Sequence, residues 1–161
     1  FRESFRPFAP VVLEEKAEQW FDMTCKKSAY MMFVHKLKKN KLNKKKEKNK
    51  FSSLEKVNEV RSQIPAVTHI DNSARIQTVN KKSNKHLYNL ISKFEKKTNC
   101  PVLVNTSFNV RGEPIVNTPK EAFECFMGTN LDILVIANFY LKKKNQLSEL
   151  STNYKEKFKH N

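Results

Sequence analysis

The sequence predicts an α/β protein of the mixed α+β kind, and three observations support this fold class. Short apolar runs of strand length alternate along the chain with segments whose apolar residues recur at helical spacing. A chain of 161 residues with 39% hydrophobic residues is long enough to bury one sizeable core. Twelve phenylalanines add large apolar side chains and argue against a disordered chain. We therefore expect one domain built on a sheet.

The first part of the chain predicts a strand, a helix and a second strand. Residues 1–13 end in Pro-Val-Val-Leu, which is typical of a strand. Residues 14–23 show helical spacing, with Trp20 on the side expected to face the core. Residues 29–37 alternate as a second strand, and Lys38 lies at its end.

Most of the net charge of +15 lies in two lysine-rich segments. Residues 36–50 hold nine lysines and one glutamate, and residues 142–161 hold six lysines and two glutamates. Because residues 40–50 have little apolar content, we expect a flexible insertion over 39–63, followed much later by a polar tail that packs poorly. Apolar residues near the end of the insertion recur at intervals of three and could form a short amphipathic helix: Phe51, Leu54, Val57 and Val60.

Charge, hydropathy and cysteine content limit the partners and the cellular compartment to be expected. A strongly basic protein suits a nucleic acid or an anionic membrane, but confinement of the lysines to low-complexity segments makes nucleic acid the less favoured partner. No apolar run reaches membrane-spanning length and no signal-peptide pattern is present, so no membrane is expected. Three widely spaced cysteines and four histidines without metal-ligand spacing predict a reduced, cytoplasmic protein with no structural metal.

A hairpin-like unit is predicted over residues 64–79. Residues 64–70 are typical of a strand, Asp71-Asn-Ser of a tight turn, and residues 74–79 of the returning strand. His69, Asp71 and Arg75 are therefore expected near one end of the unit. Asp71 is expected to cap the turn, whereas Arg75 has two interpretations: an ion pair with Asp71, or a contact to a bound anion.

Two helices and two strands are predicted after residue 83, and the helices are recognised by the capping residues at their ends. Residues 84–98 predict a helix capped by Ser83 or Asn84, and residues 119–127 predict another, opened by the capping box Thr118-Pro-Lys-Glu and stopped at Gly128. Residues 101–104 and 132–139 are expected to be buried strands. The apolar face of the first of these helices is expected to consist of Leu87, Leu90, Ile91 and Phe94.

A polar loop, NTSFNVRGEPIV at residues 105–116, follows the strand at 101–104. Gly112, one of only two glycines, suits a turn with positive φ or a close backbone approach to a ligand. The hydroxyl and amide groups before it could bind phosphate oxygens or a small amide. The alternative is a turn in which these side chains satisfy their own backbone.

Three motifs resemble one family in the family's order: FRPFAP at 5–10, IPAVTHIDNSARIQTV at 64–79, and NTSFNVRGEPIV at 105–116. They are similar to the C-terminal, YrdC-like domain of the carbamoyltransferases typified by NodU and TobZ. The resemblance covers residues 1–141 apart from the insertion, with 142–161 as a tail, and implies a twisted mixed sheet with flanking helices. Because the chain begins inside a motif, we expect it to be part of a longer protein whose N-terminal carbamoyl-transfer domain lies elsewhere.

The resemblance implies the chemistry. Such a domain joins carbamoyl phosphate with ATP, accompanied by Mg²⁺, to make carbamoyl adenylate, which the N-terminal domain uses to carbamoylate a hydroxyl. The family's metal-binding histidines belong to that N-terminal domain, so no metal ligands are expected in this chain. The alternative is a basic YrdC-like module that binds nucleic acid without catalysis; a third is a structural partner that does not respond to ATP.

The resemblance also implies the site residues. Arg75 and Ser107 are the expected catalytic residues, acting by positioning and electrostatics, since no nucleophile-base-acid triad is recognisable. The remaining residues are expected to bind ATP or carbamoyl phosphate: Arg2, Arg6, Lys38, His69, Asn105, Thr106 and Asn109. Ser107, Asn109, Gly112 and Pro114 match the S-x-N-x-x-G-x-P frame of YrdC proteins, and Phe1-Arg2 resembles the end of their K-x-R motif.

Overall fold

A computed structural model describes residues 6–43 and 59–147 and shows an α+β fold, which confirms the predicted class. The described residues divide into two compact units, an N-terminal unit that ends at residue 106 and a C-terminal unit that begins at residue 107. Seven strands are present in the described residues: β1 (Ala9–Leu13), β2 (Val34–Lys36), β3 (Ser73–Arg75), β4 (Gln77–Val79), β5 (Val102–Asn105), β6 (Ile133–Ile136) and β7 (Phe139–Lys142). The α-helices of the same residues are α1 (Ala17–Trp20), α2 (Lys85–Thr98) and α3 (Pro119–Gly128).

The strand predicted at the end of residues 1–13 is the centre of the N-terminal unit. β1 pairs in parallel with β4 and antiparallel with β5, which gives a mixed three-stranded sheet in the order β4-β1-β5. All five residues of β1 are buried. Val12 packs into a core with Trp20 and Phe21, while Val11 and Leu13 pack against α2 on the other face. A strand covered on both faces accounts for its unbroken apolar run.

Two predictions in the first part of the chain require correction. The helix predicted over 14–23 is a 3₁₀ turn followed by the four-residue α1, because Phe21 becomes extended and bridges to Leu37. Trp20 is buried, as expected. The strand predicted over 29–37 is wrong in length, since only Val34–Lys36 pairs, with β3. Met31 lies in a turn with φ of 55°, so its alternation with its neighbours does not correspond to strand pairing.

The strand predicted over 64–70 is also wrong. Pro65–Val67 forms a 3₁₀ helix with proline at its first position, where a missing N–H costs nothing. The Ser62 hydroxyl accepts from the Ile64 N–H at 3.1 Å, and the Thr68 hydroxyl donates to the Ile64 carbonyl at 2.8 Å. These local hydrogen bonds replace a sheet ladder. The returning strand predicted at 74–79 is divided between β3, which pairs with β2, and β4, which pairs with β1.

Helix α2 confirms its predicted span and cap. The Asn84 side chain accepts from the Leu87 N–H at 3.0 Å, and Asn99 ends the helix in the left-handed conformation. The predicted apolar face is partly wrong, because Ile91 is fully buried whereas Leu90 is 57% exposed. Tyr88 takes the place expected for Leu90 in the contact with β1.

Strand β5 confirms the strand predicted at 101–104, but this strand is not buried as expected. Within the described residues it lies at an edge of the three-stranded sheet, with β1 as its partner. Val104 is correspondingly 48% exposed, so the strand is not buried along its whole length. The polar loop therefore begins at the last residue of an edge strand, Asn105, and not after a central strand.

The C-terminal unit packs α3 against a hairpin. The capping box is present, with the Thr118 hydroxyl accepting from the Glu121 N–H and the Glu121 carboxylate accepting from the Thr118 N–H. Residues 132–139 are not one buried strand, because β6 turns back into β7 through Ala137, whose φ is 48°. Only Leu134 of β6 is fully packed, against Phe126 of α3.

The segments predicted to be unstructured are partly ordered. Lys143 lies in a 3₁₀ turn after β7, and its ammonium donates to the carbonyls of Phe126, Met127 and Thr129 at the end of α3, so the first residues of the predicted tail do pack. Burial of the Lys143 ammonium lowers its pKa. At the insertion, residues 39–43 and 59–63 are structured; the short helix predicted from Phe51 onward and the rest of the tail lie outside the described residues, apart from Val60.

Candidate functional site

The turn between the 3₁₀ helix at Pro65–Val67 and β3 forms the frame of the candidate site. The His69 N–H donates to the Ser73 carbonyl at 2.7 Å, and the Asn72 N–H donates to the His69 carbonyl at 3.0 Å. Asn72 adopts the left-handed conformation, with φ of 63°, which asparagine tolerates better than most residues. The predicted tight turn is therefore confirmed, and it holds His69, Asp71 and Ser73 close to one another.

Asp71 is the hub of this turn. Its Oδ1 accepts from the Ser73 hydroxyl at 2.6 Å and from the Ser73 N–H at 3.1 Å, which confirms the expected cap. Its Oδ2 accepts from the ammonium of Lys36 on β2 at 2.6 Å, and the same ammonium donates to the Asp71 carbonyl at 2.8 Å. Lys36, and not Arg75, is thus the cation that pairs with Asp71.

The hydrogen bonds from Lys36 and Ser73 lower the pKa of Asp71 to about 2, from an ordinary value of 3.8. The pKa of Asp71 is lower in the folded protein than in the unfolded chain, so ionisation of Asp71 stabilises the fold. This stabilisation is complete above pH 3.8 and is lost as the pH falls through about 2. Both side chains are more than half exposed, so this stabilisation is small. The pair instead neutralises the carboxylate that the turn itself carries.

We expect Lys36→Met to move the pKa of Asp71 from about 2 back toward 3.8, because the strongest donor to its carboxylate is lost. The measurement is the pH titration of the Asp71 carboxyl carbon by NMR. Lys38→Met is the matched control, since Lys38 pairs with Asp22 at 2.7 Å. An equal shift in the two variants, or none with Lys36→Met, would show that Lys36 does not hold Asp71 ionised.

His69 is partly buried beside this pair. Its Nδ1 lies 3.0 Å from the Ser73 hydroxyl oxygen. Burial lowers its pKa, the charge of Asp71 opposes that shift, and Arg75 and Lys36 reinforce it. The imidazole is therefore neutral at neutral pH, and one of its nitrogens retains a lone pair.

Arg75 ends β3 next to this turn and is exposed. Its backbone pairs with that of Val34, while its charge is felt by His69. Within residues 6–43 and 59–147, no carboxylate lies within ion-pair distance of its guanidinium. The predicted alternative in which Arg75 pairs with Asp71 is therefore wrong. An exposed, always-charged fork of donors is suited to a phosphate or carboxylate.

The other predicted residues of the N-terminal unit have separate surroundings. Lys38 lies two residues beyond Lys36 and is occupied by its ion pair with Asp22. Arg6 is exposed before β1, and Arg2 lies outside the described residues. At the end of β5, the Asn105 amide donates to the Gln77 side-chain oxygen at 2.5 Å, and the Gln77 amide donates to the Ala29 carbonyl at 2.9 Å. Thr106 follows and is exposed.

The polar loop of the C-terminal unit is held largely by its own side chains. The Asn109 amide donates to the Glu113 carbonyl at 2.8 Å, and the Glu113 carboxylate accepts from the Val110 N–H at 2.8 Å. Gly112 has φ of 85°, which confirms the conformation expected of it. For Asn109 the self-capping interpretation of the loop therefore holds, while Ser107 is exposed at its start.

The structure thus brings together His69 and Arg75, and adds two residues that the sequence did not single out as ligand-binding, Lys36 and Ser73. The signal for Ser73 was its place two residues after Asp71, where an aspartate cap finds its donors. The only sequence signal for Lys36 was its place in the alternating pattern of the predicted strand. The arrangement offers a guanidinium, a neutral imidazole and a carboxylate that is already neutralised, a set suited to a small anion.

The described residues show neither a metal-binding cluster nor a membrane-spanning helix. No group of three histidine, cysteine, aspartate or glutamate side chains in them is placed to hold a metal ion. None of their helices combines the length and apolar character needed to cross a membrane. The cysteines at positions 25, 100 and 125 form no disulfide bond.

Comparison with known proteins identifies the family. The family model described as carbamoyltransferase C-terminus matches residues 1–143. The uncharacterized protein sll1178 of Synechocystis is 52% identical over 147 residues, which cover 91% of this chain and 24% of that protein. Nodulation protein NolO of Bradyrhizobium diazoefficiens is 37% identical over 145 residues, or 89% and 23% of the two chains.

Nodulation protein U of Rhizobium tropici is 34% identical over 151 residues, which cover 94% of this chain and 22% of that protein. The chain therefore spans about a quarter of the length of these relatives. The matched region includes the turn that carries His69 and Arg75 as well as the polar loop at 105–116. The chain belongs to the carbamoyltransferase C-terminus family.

Proposed function

We propose that this chain binds ATP and carbamoyl phosphate and forms carbamoyl adenylate, which the rest of a longer carbamoyltransferase then transfers to an acceptor hydroxyl. Mg²⁺ would accompany the ATP. The observation that carries the proposal is the exposed guanidinium of Arg75, which has no carboxylate partner among the described residues and lies beside a carboxylate already paired with Lys36. A cytoplasmic location, where thiols stay reduced, suits cysteines that form no disulfide bond.

The charge arrangement supports an anion at this place. Had Asp71 faced Arg75, the two charges would have cancelled and an incoming phosphate would have displaced the carboxylate. Because Lys36 takes Asp71, the Arg75 guanidinium can bind a phosphoryl or carbamoyl oxygen with two parallel N–H donors. Neutral His69 adds a polar contact without changing the net charge.

The proposed reaction needs no nucleophile from this chain. Water splits carbamoyl phosphate into carbamate and phosphate, a carbamate oxygen attacks the α-phosphorus of ATP, and pyrophosphate leaves as the P–O bond breaks. The contribution of the residues is to hold two anions together and to stabilise the charge that develops on phosphoryl oxygens. Arg75 suits that role. Ser107, which the family resemblance implies as a second catalytic residue, has an exposed hydroxyl.

Binding of the substrates tests this function. We expect calorimetric titration of carbamoyl phosphate, and of ATP with Mg²⁺, into the 161-residue chain to show specific binding, and Arg75→Ala to weaken binding of carbamoyl phosphate about 10-fold or more, as loss of charge-assisted hydrogen bonds does. Lys93→Ala is the matched control, because Lys93 is exposed on α2 and its loss removes the same charge.

Three results would contradict the proposal: no binding by the folded chain, an Arg75→Ala variant that binds like the unchanged protein, or equal weakening in the two variants. Release of pyrophosphate on mixing both substrates with the chain measures the chemical step. Tighter binding of an RNA oligonucleotide than of ATP, with a steep dependence on salt, would instead favour the basic nucleic-acid-binding module.

A further inference from the structure

Asp71, Ser73 and His69 form a continuous chain of hydrogen bonds. The Asp71 carboxylate lies 2.6 Å from the Ser73 hydroxyl, and that hydroxyl lies 3.0 Å from His69 Nδ1. Ser73 is almost fully buried, so its hydroxyl is screened from solvent. The chain is assembled within five residues of sequence and closed by the backbone hydrogen bond from the His69 N–H to the Ser73 carbonyl.

The directions of these hydrogen bonds follow from the number of hydrogens that each side chain can donate. An ionised carboxylate can only accept, so the single hydroxyl hydrogen of Ser73 is directed to Asp71 Oδ1. The contact between Ser73 Oγ and His69 Nδ1 then needs a hydrogen from the imidazole. His69 must therefore carry its hydrogen on Nδ1. In the opposite tautomer, two lone pairs would face each other across 3.0 Å.

We propose that Asp71 and Ser73 are positioning residues that hold His69 as the Nδ1–H tautomer, so that its Nε2 lone pair accepts a hydrogen bond from the amide of carbamoyl phosphate. The second half of this inference rests on the proposed function; the first half does not. In these terms His69 is a specificity residue, which distinguishes a carbamoyl group from other acyl groups of the same size.

The surroundings of His69 agree with such a role. Nε2 has no hydrogen-bond partner in the described part of the chain, while Nδ1 is occupied. The charged groups around the ring are Asp71, Arg75 and Lys36. Burial lowers the pKa of His69, which keeps the lone pair on Nε2 at neutral pH. A protonated ring would have no acceptor and would repel the N–H groups of the amide.

His69 and Arg75 offer different groups to the two ends of carbamoyl phosphate, and Arg75 is close enough for its charge to act on the His69 ring. The guanidinium can hold the phosphoryl oxygens, and the neutral imidazole beside it can accept from the amide at the other end. Acetyl phosphate has the same phosphate and carbonyl but a methyl group where carbamoyl phosphate has its amide. A methyl group cannot donate, so it would leave Nε2 without a partner, and sites built for a donor reject analogues that lack it.

The tautomer is measured directly, without any substrate. Long-range ¹⁵N–¹H NMR spectra of the full chain at a pH above the His69 pKa should show Nδ1 protonated and Nε2 bare, which is the reverse of the preference of free histidine. Ser73→Ala should remove this bias while the protein stays folded, as monitored by the fluorescence of the single tryptophan, Trp20. An Nε2–H tautomer in the unchanged protein would overturn the inference.

The amide contact is measured as a ratio of dissociation constants. We expect the unchanged protein to bind carbamoyl phosphate at least 10-fold more tightly than acetyl phosphate, and His69→Ala to bring the ratio close to one. His69→Gln can place its side-chain oxygen near the position of Nε2 and should restore part of the preference. Ser73→Ala should reduce the preference although His69 is still present.

The outcomes separate the two proposals. If both phosphates bind the unchanged protein equally well, or if His69→Ala leaves the ratio unchanged, the specificity role is overturned and the anion site stands. If neither phosphate binds, both the proposed function and the amide contact fail. In that case the NMR result still decides whether Asp71 and Ser73 orient the imidazole.

Discussion

Phe126→Ala is expected to lower the free energy of unfolding of the C-terminal unit by about 3–5 kcal/mol. Phe126 is fully buried in the last turn of α3. Its ring packs among Met127, Leu134 and Phe123, the last with ring centroids 6.3 Å apart. The Lys143 ammonium lies 4.8 Å from the ring centroid, so alanine would remove a cation–π contact as well as apolar packing. A loss of this size approaches the whole stability of a small unit.

Phe139→Ala is the matched control for this prediction. Phe139 lies on β7 in the same unit but is 71% exposed, so its loss should change stability by about 0.5 kcal/mol or less. Amide hydrogen exchange of α3 and β6, compared between the two variants, gives the measurement. Trp20 lies in the N-terminal unit, and its fluorescence reports on that unit separately. Equal protection of α3 in the two variants would mean that the ring does not support this core.

Ile91→Ala should lower the free energy of unfolding of the N-terminal unit by about 2–5 kcal/mol. Ile91 is fully buried between α2 and the sheet, where it packs with Val11, Leu13 and Val79. No other residue of α2 is fully buried, so alanine would leave a cavity where the helix packs most closely against the strands. The loss should appear as a lower midpoint of denaturant unfolding followed by Trp20 fluorescence.

Leu90→Ala provides a control from the same helix turn. Leu90 is 57% exposed, and leucine and alanine have similar helix propensities, so the change should be a few tenths of a kcal/mol. The comparison also tests the corrected face of the helix. If Leu90→Ala were the more damaging of the two substitutions, the face predicted from spacing alone would be the better description.

The helices were predictable because their ends are set by neighbours in sequence. Asn84 and Thr118 each cap a helix through a residue three positions later, and no distant part of the chain is needed to recognise the pattern. The spacing of Leu87, Leu90 and Ile91 nevertheless did not reveal which side the sheet would cover. That side depends on where β1 lies, and β1 is remote from α2 in sequence.

The strands of the N-terminal unit were predicted less well because each pairs with a segment that is distant in sequence. β1 pairs with residues 77–79 and 102–105, whereas the equally apolar residues 29–33 find no partner among the described strands. Residues 132–139 looked like one strand because the turn at Ala137 has neither glycine nor proline to mark it. The alternation of apolar residues indicates which face of a strand could be buried. Whether the strand forms depends on finding a partner strand.

The candidate site was predictable in part for the same reason. His69, Asp71 and Arg75 are close in sequence, so a tight turn was enough to bring them together. Lys36 belongs to another strand, and its pairing with Asp71 follows from the register of β2 with β3, in which Lys36 lies opposite Ser73. That register could not be inferred from the motif, and it determines which of the two cations near Asp71 stays available.

The base of the lysine-rich insertion has a consequence for how this chain can change. The Asn43 N–H donates to the Arg61 carbonyl at 2.9 Å, and the Gln63 N–H donates to the Lys41 carbonyl at 3.0 Å, so the two ends are fastened side by side. Once such a base is closed, each doubling of the segment between its ends costs only about 0.6 kcal/mol in chain entropy. Length at this point is close to neutral for the fold, which makes it a place where sequence can be gained or lost, or a foreign peptide accommodated, without disturbing β1 and its partners.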